Sequence, residues 1–169
     1  MRARLHNTLR GLGLILDPGA WIDPSRHVLI CAYPRGRRAL ARLQRRGIRR
    51  LINLHRRPHT PEQLAHYALT ERHVPVPDFG TPTVPQLATA VAAIATAVTA
   101  GERVAVHCGG GLGRSGTVAA CYLIELGVEW PAAVASVRTA RPGAIETPAQ
   151  LATVAAYVGR GAAIAPGAV

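Results

Sequence analysis

The sequence predicts an α/β fold: one central, mostly parallel sheet of about four to five strands, flanked by helices. Three observations predict the layers. Short apolar runs rich in strand formers alternate with segments of helical period along the chain. Helix start and stop signals separate them, and no internal repeat or linker splits the pattern. Finally, 169 residues that are 49% apolar suffice for one full core, and hardly for two.

The elements follow in order. Residues 1–20 read as a loosely packed, flexible lead-in with one or two basic amphipathic turns. "HVLICAY" (27–33) reads as a strand, broken by Pro34 and Gly36. "RRALARLQRRG" (37–47) places Ala39, Leu40 and Leu43 at helical spacing before a Gly stop. "IRRLINLH" (48–55) is a second strand, and "TPEQLAHYAL" (60–69) opens a helix with Thr as cap and Pro in its first turn. "RHVPVP" (72–77) is extended and stopped by "DFGTPTVP"; a helix over 84–100 then ends at Gly101. "RVAVH" (103–107) is a buried strand, followed by a glycine-rich loop and a helix over 115–126. Helices over 130–139 and 147–159 close the domain, read as residues 21–160, and 161–169 form a frayed tail.

Net charge is +11, and all twenty basic residues are Arg. Eleven of them fall between Arg26 and Arg57, with no Asp or Glu from Pro24 to Pro61. Such a block attracts acidic ligands. It also suits an Ala-rich, Lys-free chain from a GC-rich genome, with the charge on a solvated helix face; both readings stay open. The three cysteines, Cys31, Cys108 and Cys121, make neither a disulfide framework nor a metal cluster. Their sparse, odd count suits a reducing compartment, and a cytoplasmic location is expected. No stretch is apolar enough over about 20 residues to span a membrane, and no signal peptide is read at the N-terminus. His55, His59, His66 and His73 are scattered without metal-ligand spacing, so neither metal nor cofactor is expected.

The chemistry concentrates in "VAVHCGGGLGRSGT" (104–117). If Gly109, Gly110, Gly111, Leu112 and Gly113 wrap at the start of the next helix, their N–H groups converge in front of Cys108. A tetrahedral oxyanion fits there, and the same field favours a thiolate. Arg114 closes the ring with a planar fork for two phosphate oxygens. Ser115 follows within hydroxyl reach of the sulfur. A dinucleotide loop would need different glycine spacing, and a nucleotide P-loop would need a Lys that this chain lacks.

"HCGGGLGRSGT" resembles the H-C-x-x-G-x-x-R-S/T motif of the cysteine-dependent protein tyrosine and dual-specificity phosphatases. "VPVPDFGTP" (74–82) resembles their general-acid loop, and "RPGAIETPAQ" (141–150) the segment after the next helix in the small dual-specificity branch, which includes the cell-division-cycle phosphatases and the phosphatase associated with cyclin-dependent kinase inhibitors. With "AYPRG…LQRRGIRRLINL" (32–54) included, the resemblance covers roughly residues 25–158. It implies that Cys108 attacks phosphorus to give a phosphocysteine, with Arg114 and the loop amides binding the oxyanion. It assigns Asp78 as general acid, then base, with Glu71 as the fallback. Gln150 matches a water-orienting Gln, although a helix-surface Gln fits as well. Ser115 would stabilise the departing thiolate, and His107 would hydrogen-bond backbone and tune the thiol. Arg141 would help bind substrate or hold the loop, unless it is an exposed helix-end Arg.

The expected substrate is a phosphorylated protein, phosphotyrosine with phosphoserine or phosphothreonine besides. The uncharged loop positions Gly109, Gly110 and Leu112 disfavour phosphoinositides, although the Arg block could substitute for the missing Lys. RNA 5′-phosphate has only net charge in its support, and a phosphate-binding module without catalysis would need neither thiol nor acid.

Overall fold

Period-two alternation sets the sheet between two cores. The protein is described here from a computed structural model covering residues 17–157, so the 161–169 tail and the first sixteen residues of the lead-in lie outside it. Its strands are β1 (Ala20–Trp21), β2 (Val28–Ala32), β3 (Ile48–Asn53), β4 (Thr70–His73) and β5 (Arg103–Cys108). Its helices are α1 (Gly36–Arg45), α2 (Pro61–His66), α3 (Val84–Thr99), α4 (Gly113–Glu125), α5 (Trp130–Ala140) and α6 (Pro148–Tyr157). The sheet order is β1-β2-β5-β3-β4, with every pair parallel except β1 on β2. The predicted α/β fold with a mostly parallel sheet is the one found.

Val28 and Ile30 of β2, with Val104, Val106 and Cys108 of β5, face a core completed by Leu87, Ile94, Val118, Val134 and Val154 from α3, α4, α5 and α6. Leu29, Cys31 and Ala105 face the opposite core, with Leu40 and Leu43 of α1. In β3, Ile48 and Leu51 share that second face although three residues apart, because the register shifts between Ile48 and Arg50. Such a bulge adds one residue to the period. Helix α4 is buried from Gly113 to Ile124, so it is the hub of the larger core rather than a surface helix.

Several boundaries move for local reasons. Helix α2 has the expected Thr60 cap, reciprocated by Gln63, but stops at His66 because Ala68 turns the chain at φ 50°. Strand β4 then begins at Thr70, earlier than expected, and ends at His73. Past it, Val74 N–H still donates to the Asn53 carbonyl at 2.8 Å and Val76 N–H to the Leu54 carbonyl at 3.1 Å, while Pro75 and Pro77 leave the outer side without donors. Helix α4 starts at Gly113, which moves Arg114 from the loop into the first helical turn. Residues 17–20 are not loosely packed: Ala20 and Trp21 pair with Ile30 and Leu29, and Ala32 N–H donates to Asp17 at 2.5 Å.

The Arg26–Arg57 block is not one face. Arg46 lies over the Trp21 ring at 5.5 Å, and Arg50 pairs with Glu102 at 3.1 Å. Arg35, Arg56 and Arg57 are exposed on the loops after β2 and β3, at the carboxyl edge of the sheet where β5 also ends. Among the described residues no helix is long and apolar enough to cross a membrane.

Candidate active site

Strand β5 ends at Cys108, and the chain must turn at once into the buried α4. The turn is possible because Gly111 adopts φ 71°, with its α-carbon pressed on the end of β2. A Cβ there would lie 2.2 Å from the Cys31 carbonyl carbon and 2.4 Å from Ala32 N. Gly113 is confined as well, since a Cβ would meet Glu146 and Gln150 at 2.5–2.8 Å. Around Gly110 there is open space, so sterics do not require glycine there. Gly111→Ala is therefore expected to cost about 3 kcal/mol or more in stability and to disorganise the cradle. Thermal unfolding and inorganic phosphate binding measure the two losses.

Within the turn, the sulfur of Cys108 accepts from Gly111 N–H at 3.3 Å and lies 3.4 Å from the Ser115 hydroxyl. Cys108 is 2% exposed. Arg114 donates Nη1 to the carbonyls of Val76 at 2.8 Å and Leu54 at 3.3 Å, which fixes the guanidinium between two strand ends. Its Nη2 meets Asp78 Oδ1 at 2.5 Å. The Asp78 side chain is 57% exposed on the loop beyond β4, and its carboxylate reaches over Gly109. A thiol, a hydroxyl, a fixed guanidinium and a carboxyl thus meet at one helix start. That set can deliver a nucleophile, bind an oxyanion and move a proton.

Residues 19–154 match the family described as Swiss Army Knife protein, DSP-PTPase phosphatase domain. The chain belongs to the dual-specificity phosphatase family. This phosphatase domain is thereby placed among cysteine-dependent hydrolases of phosphoric monoesters. It is 34% identical over 99 residues to cyclin-dependent kinase inhibitor 3 of Rattus norvegicus, covering 57% of this chain and 47% of that protein. The chain spans about half the length of the curated relatives it matches. The crystal structure of Tk-PTP in its active form superposes with a TM-score of 0.77 at 32% identity, covering 85% of this chain and 98% of that one. Human DUSP28 superposes at 0.68 with 28% identity, covering 86% and 95%.

In the phosphatase, the remaining predicted residues are buried supports. Gln150 is fully buried, not on a helix surface. Its Oε1 accepts from Glu146 N–H at 2.9 Å, and its Nε2 donates to the Gly80 carbonyl at 3.0 Å, tethering the loop that carries Asp78. Arg141 is 3% exposed rather than a free helix end, and it bonds the carbonyls of Gly110 and Gly111. Not every cradle amide points at the sulfur, because Gly113 N–H donates to Glu146 at 2.9 Å. Neither Asp17 nor Glu146 has a sequence signal that marks it.

Glu71, the fallback acid, is engaged by other partners. Its carboxylate accepts from His59 Nδ1 at 2.5 Å, His59 N–H at 3.2 Å and Asn53 Nδ2 at 3.0 Å. Burial pushes its pKa up, but these donors and the His59 charge outweigh that and hold it below the usual value. Ligand atoms of His59, Glu71 and His107 lie within 4.8 Å of one another, yet the carboxylate is already committed to those three donors. Cys31 and Cys121 are buried free thiols; burial pushes both up, Cys121 to about 12.

His107 corrects an expectation. Neither ring nitrogen has a hydrogen-bond partner among the described residues, so the ring does not hold backbone. Instead Tyr33 and His59 pack against it at centroid distances of 5.4 Å. Burial, with the nearby His59, His55 and His73, holds its pKa well below the ordinary 6.5. The folded ring is neutral and the unfolded one protonates, so its contribution to stability is present above pH 6.5 and lost as pH falls below it. The expected loss is at most about 1.4 kcal/mol per pH unit. Urea unfolding at pH 7.5 and 5.5 should show it, with a flatter dependence in His107→Asn.

Proposed function

We propose that this chain removes phosphate from phosphorylated proteins, phosphotyrosine first and phosphoserine or phosphothreonine besides, through a phosphocysteine intermediate. One observation carries the reading: Cys108, Ser115, Arg114 and Asp78 converge on the cradle at the start of α4. In the first step the Cys108 thiolate forms the S–P bond as the ester P–O bond breaks, and the leaving oxygen takes the proton of Asp78. In the second step a water oxygen attacks phosphorus and Asp78 takes its proton. The S–P bond breaks, releasing inorganic phosphate and the thiolate, which the Ser115 hydroxyl stabilises. Arg114 and the cradle amides neutralise the equatorial oxygens in both steps. Gln150, held beside the Asp78 loop, orients that water once the loop shifts.

A protein substrate is favoured over a lipid or RNA phosphate because the cradle itself offers no cation besides Arg114 for further ring phosphates. The rat relative's name also ties that protein to a kinase. Exposed Arg35, Arg56 and Arg57 would attract acidic residues flanking the phosphorylated one. Three free thiols support a reducing, cytoplasmic setting.

The test compares catalytic efficiencies in chelator on phosphotyrosine and phosphoserine peptides, phosphoinositide vesicles and 5′-triphosphorylated RNA. The phosphotyrosine peptide is expected to lead. A lead by lipid or RNA overturns the substrate assignment, and phosphate binding without any turnover overturns catalysis.

A further inference from the structure

The loop amides can face an oxyanion only if the peptide planes between Cys108 and Leu112 are turned the right way. In a trans peptide the carbonyl of one residue and the N–H of the next point in opposite directions. No cis peptide occurs among the described residues, so the partners of the carbonyls set the direction of the amides. The Gly109 carbonyl accepts from Tyr33 N–H at 3.1 Å. The Gly110 carbonyl accepts from Arg141 Nη2 at 3.0 Å, and the Gly111 carbonyl from Arg141 Nε at 2.6 Å. The N–H groups of Gly110, Gly111 and Leu112 are thereby turned to the other side. For Gly111 the result is visible, since its N–H points at the Cys108 sulfur at 3.3 Å.

Two of these three planes depend on one guanidinium, and among the described residues that guanidinium is held by one carboxylate. Asp17 Oδ1 accepts from Arg141 Nη1 at 2.9 Å, and Oδ2 from Nη2 at 2.7 Å, a fork-on-fork pair with side chains only 4% and 7% exposed. The same carboxylate accepts from Ala32 N–H, at the end of β2, on which Gly111 rests. Asp17 lies two residues before the matched family region begins.

We propose that Asp17 is a positioning residue for phosphate binding: through Arg141 it holds the Gly110 and Gly111 carbonyls outward, and so the Gly111 and Leu112 amides toward the oxyanion. It never touches substrate. Without it, Arg141 is a buried charge lacking its counterion, a costly arrangement relieved by water entry or by withdrawal of the guanidinium from the loop. Either change frees two peptide planes to rotate. The inference rests on the reading of the cradle as an oxyanion site.

Calorimetric titration of the full chain with inorganic tungstate tests it without requiring turnover. Asp17→Asn preserves shape and removes the charge, and it is expected to weaken tungstate binding about tenfold, the loss expected for misaimed donors in a buried site. Asp17→Glu keeps the charge but cannot serve Arg141 and Ala32 in the same register, and it is expected to weaken binding about threefold. Being the milder change, it keeps the inference open to refutation should the Asn variant not fold, which thermal melts reveal. Combining Asp17→Asn with Arg141→Gln should add almost nothing to the Arg141→Gln loss, because both act through one pair. Binding by both Asp17 variants within about twofold of the unaltered chain, or losses that add in the double variant, overturns the role of Asp17 alone. Absence of tungstate binding by the unaltered chain overturns it together with the proposed function.

Discussion

Cys108→Ser is expected to abolish phosphate release while leaving oxyanion binding in place. The sulfur is the one soft nucleophile in the cradle, and among the described residues no base hydrogen-bonds the side chain at that position. Ser115 is 3.4 Å away and is itself a hydroxyl, and among the described residues no imidazole hydrogen-bonds the Cys108 sulfur. The loss should be on the order of 10⁶-fold in kcat, the scale on which covalent catalysts lose their nucleophile. Steady-state hydrolysis of an aryl phosphate in chelator measures it, with tungstate titration alongside. Because the Arg141 and Tyr33 contacts to the loop carbonyls do not involve the sulfur, tungstate should still bind. Residual turnover within about tenfold of the unaltered chain would remove Cys108 from the reaction.

Asp78→Asn should separate substrates by their leaving groups. An amide cannot give up a proton to the departing oxygen, so poor leaving groups such as a tyrosine side chain should slow by about 10² to 10⁴-fold. Nitrophenolate leaves readily unprotonated and should slow far less. Equal slowing of the two would assign Asp78 a merely structural place. The ion pair with Arg114 adds a second expectation. The carboxylate accepts from Nη2 at the edge of the guanidinium at 2.5 Å, and an oxyanion that takes this donor must displace it. Removing that charge lifts the competition, so the variant should bind tungstate at least as tightly as the unaltered chain even as turnover collapses. Weaker binding with slower turnover would instead point to collapse of the loop.

The parts legible in the sequence are those whose cause is local. The apolar runs at 28–32 and 103–108, the Thr60 helix start and the Cys108–Arg114 spacing each depend on neighbours a few residues away. What the sequence does not reveal depends on distant partners. Asp17 and Arg141 are 124 residues apart, and nothing around "LDPGA" marks the carboxylate as a counterion. The Glu71 carboxylate reads as a spare acid until His59 and Asn53 close on it. Gln150 and Arg141 look like helix-surface residues because the pattern around them is small and polar, and only the packing of α6 and α5 against the cradle buries them. Strand β1 leaves no mark in the sequence for a plainer reason: two residues are too few to show a period.

That brief strand bears on how the chain behaves in a crowded solution. A parallel sheet with two bare rims is a template for polymerisation through its unpaired backbone groups. Here one rim is β1, whose two residues offer too little ladder for another chain to extend. The other is β4, four residues of Thr, Glu, Arg and His, followed by Pro75 and Pro77, which cannot donate. A protein that is 49% apolar and richly furnished with Val, Ile and Leu strands therefore keeps those strands internal, and among the described residues the rims it shows neighbouring copies are short, polar or followed by proline.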